Sequence, residues 1–300
     1  MCKTCLTAPV YVTLNHESLC KNCFIKYVEK KILKTIRTYH MLEKDDTIAV
    51  GLSGGKDSTT CLYLLNKILQ KQGTPLIAIA IDEGIHGYRE KTLAEAHQFC
   101  NELGIKLHIT SYKDELGFTL DEYLKQKKPK TPCAPCGVFR RYLLNKAARR
   151  LKATKLATGH NLDDEAQSII MNQFKGNISF SAKLGPVTGA LSHEHFIKRI
   201  KPLYFITEKE TTIYSKLKQF PVSYYVCPNS FDSFRITVGN MLNKMEQQYP
   251  GTKQGIVQSF LDILPKLKER YQGKQIGTCT SCGEPAAKSL CRACELLEKK

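Results

Sequence analysis

Short apolar runs alternate with longer amphipathic segments through the middle of the chain. The apolar runs predict strands at 47–53, 75–82, 106–112, 155–160 and 199–205, and the segments between them predict helices at 58–72, 89–103, 137–152 and 163–174. Strands that are apolar throughout and are separated by amphipathic helices indicate a parallel sheet covered on both faces. The sequence therefore predicts an α/β domain, whose ligands bind in the loops that follow the carboxyl ends of the strands.

Cysteine clusters lie at both ends of the chain, outside this alternating pattern. Each is a CxxC pair followed by a second CxxC pair, and their members are Cys2, Cys5, Cys20, Cys23, Cys279, Cys282, Cys291 and Cys294. Four thiolates at this spacing favour a tetrahedral zinc site, whose metal would stabilise a module too small to fold alone. Gly283 suits the tight turn after its cysteine, and His16 is an alternative ligand that four cysteines make unnecessary.

The chain is therefore divided into three parts. An N-terminal zinc module occupies 1–26, a central domain 27–272 and a C-terminal zinc module 273–300, so we expect two zinc ions.

The chain is strongly basic, with 45 Lys and Arg against 28 Asp and Glu and a formal charge of +17. Such a charge favours a polyanionic partner, and nucleic acid is the first to consider. The N-terminus lacks the apolar core of a signal peptide, and no apolar run is long enough to span a bilayer. We therefore expect a cytoplasmic protein without a membrane partner, in which reduced thiols serve metal or redox chemistry.

The segment 52–59 reads LSGGKDST and follows the first predicted strand. Gly54 and Gly55 allow a tight turn whose backbone N–H groups face an anion, and the helix that begins here adds its dipole. The segment is not a Walker A motif, because its glycine spacing differs and an acidic residue, Asp57, follows Lys56. It predicts a phosphate site of another kind, against the alternative of a glycine-rich turn with incidental charge.

A second loop, GHNLDDEAQ at 159–167, follows the fourth predicted strand. A glycine and then acidic residues at a helix start suit a loop that faces a nucleotide. Asp163 and Asp164 are also ordinary capping residues for the helix that begins there. Taken alone, the motif favours the capping interpretation, and the sequence does not decide which of the two carboxylates would act on a nucleotide.

Three further cysteines lie in the central domain outside the apolar patterns. Cys133 and Cys136 precede the third predicted helix, and Cys227 lies far away in sequence. Three thiols are one fewer than a four-ligand zinc site needs, and an odd number of cysteines cannot all be paired in disulfides. A 4Fe–4S cluster, a persulfide or disulfide relay, and inert thiols are the alternatives. Cys61 and Cys100 fall in apolar helical patterns and are predicted core residues.

Basic residues cluster beside the central CxxC pair. The sequence KQKKPK at 125–130 precedes the pair, and the next predicted helix carries Arg141, Arg149 and Lys152 near one face. We expect this helix to present charge to phosphates beside the site, with a solvated outer face as the alternative.

SGGKDS at 53–58 resembles the PP-loop signature of the ATP pyrophosphatase family, whose members cut ATP between the α and β phosphates and adenylate a substrate. The resemblance implies that the loop residues holding ATP are Ser53, Gly54, Gly55, Lys56, Asp57 and Ser58. Lys56 would neutralise phosphate charge together with a magnesium ion. Beyond the loop, the residues that the resemblance assigns to ATP or to base activation are Ala80, Arg140, Gly159 and Asp164. Some relatives have a lysine at the position of Arg140. The arginine keeps the positive charge of that lysine but not its geometry.

Nearly the whole chain resembles the cytoplasmic tRNA 2-thiolation protein 1 family, the 2-thiouridine synthetases, through its terminal modules, both loops and the three central cysteines. The resemblance implies that the C2 oxygen of a tRNA uridine is adenylated and then replaced by sulfur. It implies that Cys133, Cys136 and Cys227 hold three irons of a 4Fe–4S cluster whose fourth iron is open. Asp57 and Asp164 would join these cysteines as catalytic residues. The implied partners are tRNA and a sulfur donor, either sulfide or a ubiquitin-like thiocarboxylate protein, and a homodimer is compatible with the resemblance.

Two other functions compete with this one. A tRNA 2-thiocytidine synthetase shares the loop and the three cysteines, but the paired zinc modules argue against it. A zinc-ribbon RNA-binding protein without catalysis would have no need of an intact SGGKDS loop.

Overall fold

The fold is known from a computed structural model that describes residues 1–2, 4–187, 195–230, 233–271 and 276–298. The strands are β1 (Tyr11–Val12), β2 (Ser18–Leu19), β3 (Ile48–Gly51), β4 (Leu76–Asp82), β5 (Leu107–Ser111), β6 (Lys155–Thr158), β7 (Lys198–Ile200), β8 (Gly277–Thr278) and β9 (Pro285–Ala286). The helices are α1 (Lys21–Thr38), α2 (Lys56–Leu69), α3 (Arg89–Leu103), α4 (Tyr112–Leu116), α5 (Leu120–Lys127), α6 (Cys133–Arg150), α7 (Leu162–Phe174), α8 (Ile178–Ser181), α9 (Glu208–Leu217), α10 (Phe234–Gln248), α11 (Thr252–Tyr271) and α12 (Arg292–Glu298).

A parallel five-stranded sheet forms the centre of the molecule, as the apolar runs predict. The strand order is β5-β4-β3-β6-β7, so β3 is the middle strand and pairs with both β4 and β6. The first and fourth predicted strands are therefore neighbours, although about a hundred residues separate them in sequence. As a result, the loops that follow β3 and β6 meet at the carboxyl ends of these neighbouring strands.

The fifth strand is shorter than the sequence predicts. The apolar run at 199–205 indicates a strand over its whole length, but β7 ends at Ile200. Beyond it the chain turns, with Tyr204 N–H donating to the Lys201 carbonyl and Ile206 N–H to the Leu203 carbonyl. The apolar side chains of this run are still buried, because a turn packed into the core needs the same apolar residues as a buried strand does.

Apolar side chains cover the sheet on both faces. One core cluster joins β3 to helices α1, α2 and α3 and includes Cys61 and Cys100, which confirms that these two cysteines are core residues. The other joins the opposite face to α5, α6 and the C-terminal module. A third cluster, between α7, α10 and α11, supports the loop after β6 from outside the sheet.

The terminal modules are small hairpins attached to helices. In the first, β1 and β2 pair antiparallel, and its last two cysteines lie at the start of α1. Residue 26, the predicted end of this module, lies inside α1, so the same helix continues into the central domain. In the second module, β8 and β9 pair and α12 follows. The predicted boundary at 272–273 lies outside the described residues. Among the helices of the described ranges, none is long and apolar enough to cross a membrane.

Candidate active site

The loop after β3 is shaped by glycine and serine. Gly54 has a φ of +83°, and a Cβ there would press against the backbone carbonyl of Thr92 on α3. Glycine is therefore required for the turn as well as for the close approach. Gly55 is the N-cap of α2, so the first turn of that helix points its N–H groups at the edge of the sheet.

Two serine hydroxyls close this loop on itself. Ser58 Oγ lies 2.9 Å from Ser53 Oγ and accepts a hydrogen bond of 3.1 Å from Ser53 N–H. Gly55 N–H donates to Ser53 Oγ at 3.3 Å. The loop is thus preorganised, with its backbone donors held in place before any anion arrives.

Asp57 connects the loop to two other elements, the start of α7 and α9. One carboxylate oxygen accepts hydrogen bonds from Thr211 Oγ1 at 2.6 Å and from Asn161 Nδ2 at 3.2 Å. The other accepts from Lys56 Nζ at 2.8 Å, and Lys56 also pairs with Glu208 at 3.0 Å. Although burial by itself lowers the pKa of Lys56, the two carboxylates raise it, so this residue is a fixed cation. Its position supports the predicted role in charge neutralisation.

Gly159 is where the second loop meets the first. A Cβ on this residue would lie 2.7 Å from the Ser58 backbone nitrogen and 2.8 Å from the Asp57 carbonyl carbon. Real Cβ atoms do not approach a backbone that closely, so any side chain here would displace the start of α2. The glycine is needed for packing between the two loops, and it also lines the cleft as predicted.

The structure separates the two aspartates of the second loop. Asp163 is buried, accepts from the ammonium of Lys253 on α11, and accepts from Glu208 N–H at 2.7 Å. Its carboxylate is therefore engaged in holding α7, α9 and α11 together. Asp164 lines the cleft and forms a capping box with Asn161. Asp164 is thus the carboxylate available to a ligand, and its capping role coexists with that position.

The pKa of the Asp164 carboxyl group is higher than that of an ordinary aspartate. Desolvation raises its pKa to about 6, the nearby carboxylate of Asp57 adds to this effect, and Arg235 opposes it. A carboxyl group that changes charge near pH 6 beside a phosphate site suits either a metal ligand or a proton acceptor.

One cleft of about 280 Å³ collects these groups. The residues that line it are Gly51, Leu52, Ser53, Asp57, Ser58, Ile79, Ile81, Glu83, Arg89, Arg140, Arg141, Leu144, Thr158, Gly159, His160, Asp164 and Arg199. Ala80, the residue around which a nucleotide contact is expected, is fully buried in β4, and its neighbours Ile79 and Ile81 line the cleft instead. Alternate residues of a strand face opposite sides, so Ile79 and Ile81 are the ones that supply an apolar wall suited to a flat base.

Glu83 lies between two arginines and was missed in the sequence. Its carboxylate is 2.9 Å from Arg89 Nε and 3.7 Å from Arg140 Nη1. Arg89 in turn donates to the Ser53 carbonyl at 2.7 Å. This chain of ionic contacts runs from the phosphate loop to the helix that carries the CxxC pair. The one signal in the sequence that could have identified Glu83 as a site residue is its position directly after a predicted strand.

Several basic side chains line the cleft together with the phosphate loop. Desolvation, followed by the charge of Arg141, lowers the pKa of Arg199 to about 10. Desolvation by the surrounding protein and then the charges of Lys201 and Arg235 lower the pKa of His160 to about 3, so this imidazole is neutral. Cations that repel one another in this way would be stabilised by a bound polyanion.

The predicted basic helix face is only partly directed to the cleft. Arg141 lines the cleft, but Arg149 points to the C-terminal module and pairs with the buried carboxylate of Glu284. Asn145 donates to the same carboxylate at 3.1 Å. The expectation that Arg149 binds phosphate is therefore wrong, because α6 uses its last turns to hold the zinc module.

The three central cysteines come together at the start of α6. Cys133 Sγ lies 3.4 Å from the carbonyl oxygen of Asn229, which is two residues beyond Cys227. Tyr112 Oη donates to the Cys136 carbonyl at 2.8 Å and lies 3.8 Å from its sulfur. Burial raises the pKa of the Cys136 thiol to about 11, while the nearby guanidinium of Arg140 lowers it.

The central donor set has three thiols, one fewer than a structural zinc site takes, and this number fits a cluster held by three protein thiolates. Each terminal set holds four ligand atoms within 4.8 Å of one another, and the central thiols do not form such a group among the described residues. The remaining ten cysteines are accounted for by the core and the terminal modules, so three protein thiols are what this site offers.

The terminal clusters have the geometry that zinc requires. Sulfur atoms are 3.6 Å apart for Cys5 and Cys23 and 3.7 Å apart for Cys282 and Cys291. Tetrahedral ligands with a Zn–S bond of roughly 2.3 Å lie about 3.8 Å from each other. Gly283 has a φ of +73° and turns the chain after its cysteine, as predicted. His16 is exposed and is not a member of the cluster.

Comparisons with known proteins agree with this arrangement. A family model described as a PP-loop domain matches residues 25–226. The tRNA 2-thiolation protein NcsA of Haloferax volcanii is 35% identical, covering 97% of this chain and 96% of that protein. Cytoplasmic tRNA 2-thiolation protein 1 of Aspergillus niger is 33% identical, covering 95% and 83%. The solved structure of the U34-tRNA thiolase NcsA from Methanococcus maripaludis, which contains its [4Fe–4S] cluster, superposes with a TM-score of 0.83 at 37% identity, covering 98% of this chain and 94% of that one.

Proposed function

The chain belongs to the PP-loop family and, within it, to the tRNA 2-thiolation proteins, and from this premise we propose that it is a sulfurtransferase that uses ATP to convert a uridine of tRNA to 2-thiouridine. The observation that carries the proposal is that the phosphate loop and Arg140 line the same cleft. Arg140 lies on α6 one helical turn after Cys136, so this helix connects the nucleotide cleft to the central cysteines. A nucleotide site and a sulfur site that share one helix suit a reaction in which activation and sulfur transfer occur on the same base.

The first half of the reaction is adenylation. The triphosphate lies on the loop of Ser53 and Ser58, with the adenine against Ile79 and Ile81. The C2 oxygen of the uridine attacks the α-phosphorus, and pyrophosphate leaves. Arg141 and Arg199 face the charge that develops on the phosphate oxygens. The protein contributes positioning and electrostatic stabilisation rather than covalent chemistry.

The second half is substitution. A sulfur nucleophile adds to C2, and AMP leaves with the former carbonyl oxygen. Cys133, Cys136 and Cys227 would hold the 4Fe–4S cluster, and such a cluster with three protein thiolates supplies an open iron at which sulfide can be held. Sulfide or the thiocarboxylate of a ubiquitin-like protein is the donor that fits. In the alternative route a sulfane-sulfur donor, rather than sulfide, loads one of the three cysteines as a persulfide, and its outer sulfur adds to C2 as AMP leaves. A second cysteine of the set then attacks the cysteine-bound sulfur, which releases the 2-thiouridine and leaves a disulfide for an external thiol to reduce.

The other metals have separate tasks. Asp164 and Asp57 lie close enough for one carboxylate to raise the pKa of the other, and a magnesium ion bound to ATP would relieve that repulsion. The two four-cysteine groups would hold zinc ions, which would stabilise the terminal modules. A cytoplasmic location is proposed from the names of the eukaryotic relatives.

The test is thiolation of an unmodified tRNA transcript by protein purified and reconstituted without oxygen. Nucleoside mass spectrometry after incubation with ATP and sulfide should show 2-thiouridine, and sequencing of nuclease fragments assigns the position that gains sulfur. Asp57→Ala should abolish both pyrophosphate release and thiolation. Thiocytidine in place of thiouridine would make the protein a 2-thiocytidine synthetase, and no pyrophosphate release under any condition would favour a non-catalytic RNA-binding protein.

Cysteine variants separate the two half-reactions. Cys227→Ser should abolish thiolation and spare tRNA-dependent pyrophosphate release, while the core variant Cys100→Ala should retain both. Retained thiolation in Cys227→Ser would overturn the assignment of the three cysteines. Metal analysis then distinguishes the sulfur routes, because two zincs with three or four irons support the cluster and two zincs without iron support the persulfide.

A further inference from the structure

The segment 221–230, which carries Cys227, is fixed at both ends. Before the cysteine, Ser223 N–H donates to Glu95 on α3 at 3.0 Å, and the hydroxyls of Tyr224 and Ser215 lie 2.8 Å apart. After it, Cys133 Sγ contacts the Asn229 carbonyl. The segment has no regular secondary structure, and its shape is also held by a turn in which the Ser230 N–H and hydroxyl donate to the Cys227 carbonyl at 3.0 and 2.7 Å.

Between the two anchors, large side chains project into solvent. Tyr225 is 57% exposed and Val226 is 80% exposed, immediately before Cys227. Burial of these side chains would be favourable, so their exposure on an anchored segment points to a binding surface. Their position places that surface at the entrance to the site of sulfur transfer.

Tyr224 and Tyr225 each have a lysine over the ring. Lys91 Nζ lies 5.3 Å from the ring centre of Tyr225, and Lys216 Nζ lies 5.5 Å from that of Tyr224. An aromatic ring with an adjacent cation is the combination that binds unpaired nucleotides, since the ring stacks on a base and the cation meets the phosphate. If a second copy of this chain docked here through the same surface, Lys91 and Lys216 of the two copies would repel each other. The charges therefore favour RNA over self-association.

We propose that Tyr225 and Lys91 form a stacking platform for an unpaired tRNA base adjacent to the uridine that is modified. The proposal rests on the proposed function and adds the surface that holds the substrate. Tyr224 is not assigned to the platform, because its hydroxyl is engaged with Ser215. The platform would orient the target base towards the cleft, so that its C2 atom faces ATP and the cysteines in turn.

The test compares Tyr225→Ala with a matched control, Phe180→Ala. Phe180 lies on α8, is 58% exposed, and has Lys183 at 5.3 Å from its ring centre. An unmodified tRNA transcript is titrated at fixed salt and followed by fluorescence anisotropy. Tyr225→Ala should weaken tRNA binding about tenfold, Tyr225→Phe should stay within about twofold of the wild type because its ring is kept, and Phe180→Ala should bind normally. Lys91→Ala should reduce the salt dependence by about one phosphate contact.

Affinity for ATP, measured without tRNA, and iron content should be unchanged in Tyr225→Ala, since the residue lies outside the nucleotide cleft. Wild-type tRNA affinity in this variant, or equal weakening in Phe180→Ala, would overturn the platform. A change in sedimentation with unchanged tRNA affinity would assign the surface to a protein partner instead. If the wild type binds tRNA through Tyr225 but forms no thiouridine, the proposed function fails while the platform stands.

Discussion

The carboxylate of Asp164 and the guanidinium of Arg235 lie 3.6 Å apart beside the cleft. Arg235 belongs to α10 and also donates to Gln167 at 3.1 Å and to Ser168 at 3.1 Å, so it is held against α7. The contact means that a helix outside the sheet influences the acidity of a carboxylate inside the site. Desolvation raises the pKa of Asp164, and Arg235 limits that rise.

The first prediction concerns pH. If the ionised form of Asp164 is needed, pyrophosphate release should fall as the pH drops through about 6. Arg235→Gln removes the group that favours the carboxylate, so the same limb of the profile should move to higher pH. Measurement of kcat/KM for ATP between pH 5 and pH 8 tests this. Arg270→Gln, an exposed arginine on α11, is the control and should leave the profile in place, and an unshifted limb in Arg235→Gln would contradict the assignment.

The second prediction concerns the contact between the two loops. Gly159→Ala places a Cβ 2.7 Å from the Ser58 backbone nitrogen, so the start of α2 must move. We expect ATP affinity to fall by at least about tenfold, because a displacement of the order of an ångström costs that much in a positioned site. Isothermal titration with ATP measures it. Gly255→Ala adds a Cβ in open space on α11 and should bind ATP normally, with a slightly higher Tm.

The third prediction concerns the arginine that supports the phosphate loop. Glu83→Gln removes the charge that Arg89 and Arg140 share. We expect a higher KM for ATP and a loss of about 1–3 kcal/mol in the free energy of unfolding, because a buried cation loses its charged acceptor. Glu90→Gln is the control, since Glu90 pairs with His86 on an exposed face and such pairs contribute under about 1 kcal/mol. Equal KM values for the two variants would contradict the supporting role.

The fourth prediction concerns the N-terminal module. Leu6 follows Cys5 as Gly283 follows Cys282, and it adopts a left-handed φ of 52° while its side chain is 71% exposed. Leucine is strained in that conformation by about 1–2 kcal/mol and gains little packing in return. Leu6→Gly should therefore slow the release of zinc to a chromogenic chelator. Leu14→Gly, at a position without positive φ, should not slow it, and faster release from Leu6→Gly would show that the strain is unimportant.

Local features of the chain were predictable because they are contiguous in sequence. Helix α3 runs from Arg89 to Leu103, as its pattern predicts, and the phosphate loop and both CxxC pairs of each terminal module are read directly from neighbouring residues. Glycine at 54 and at 283 marks turns that need positive φ. These signals act through backbone conformation and short-range spacing, which depend little on the rest of the fold.

The sequence by itself therefore determined the fold class, the phosphate loop and the metal ligands of the terminal modules. Only the tertiary structure decided which groups meet in the cleft. Asp163 and Asp164 are equivalent in sequence, and they differ because Lys253 from α11 neutralises one of them in the interior. The contact between Glu83 and Arg89 and the approach of Cys227 to the CxxC pair join distant segments. Such contacts arise from packing of helices against the sheet, for which one sequence carries no local pattern.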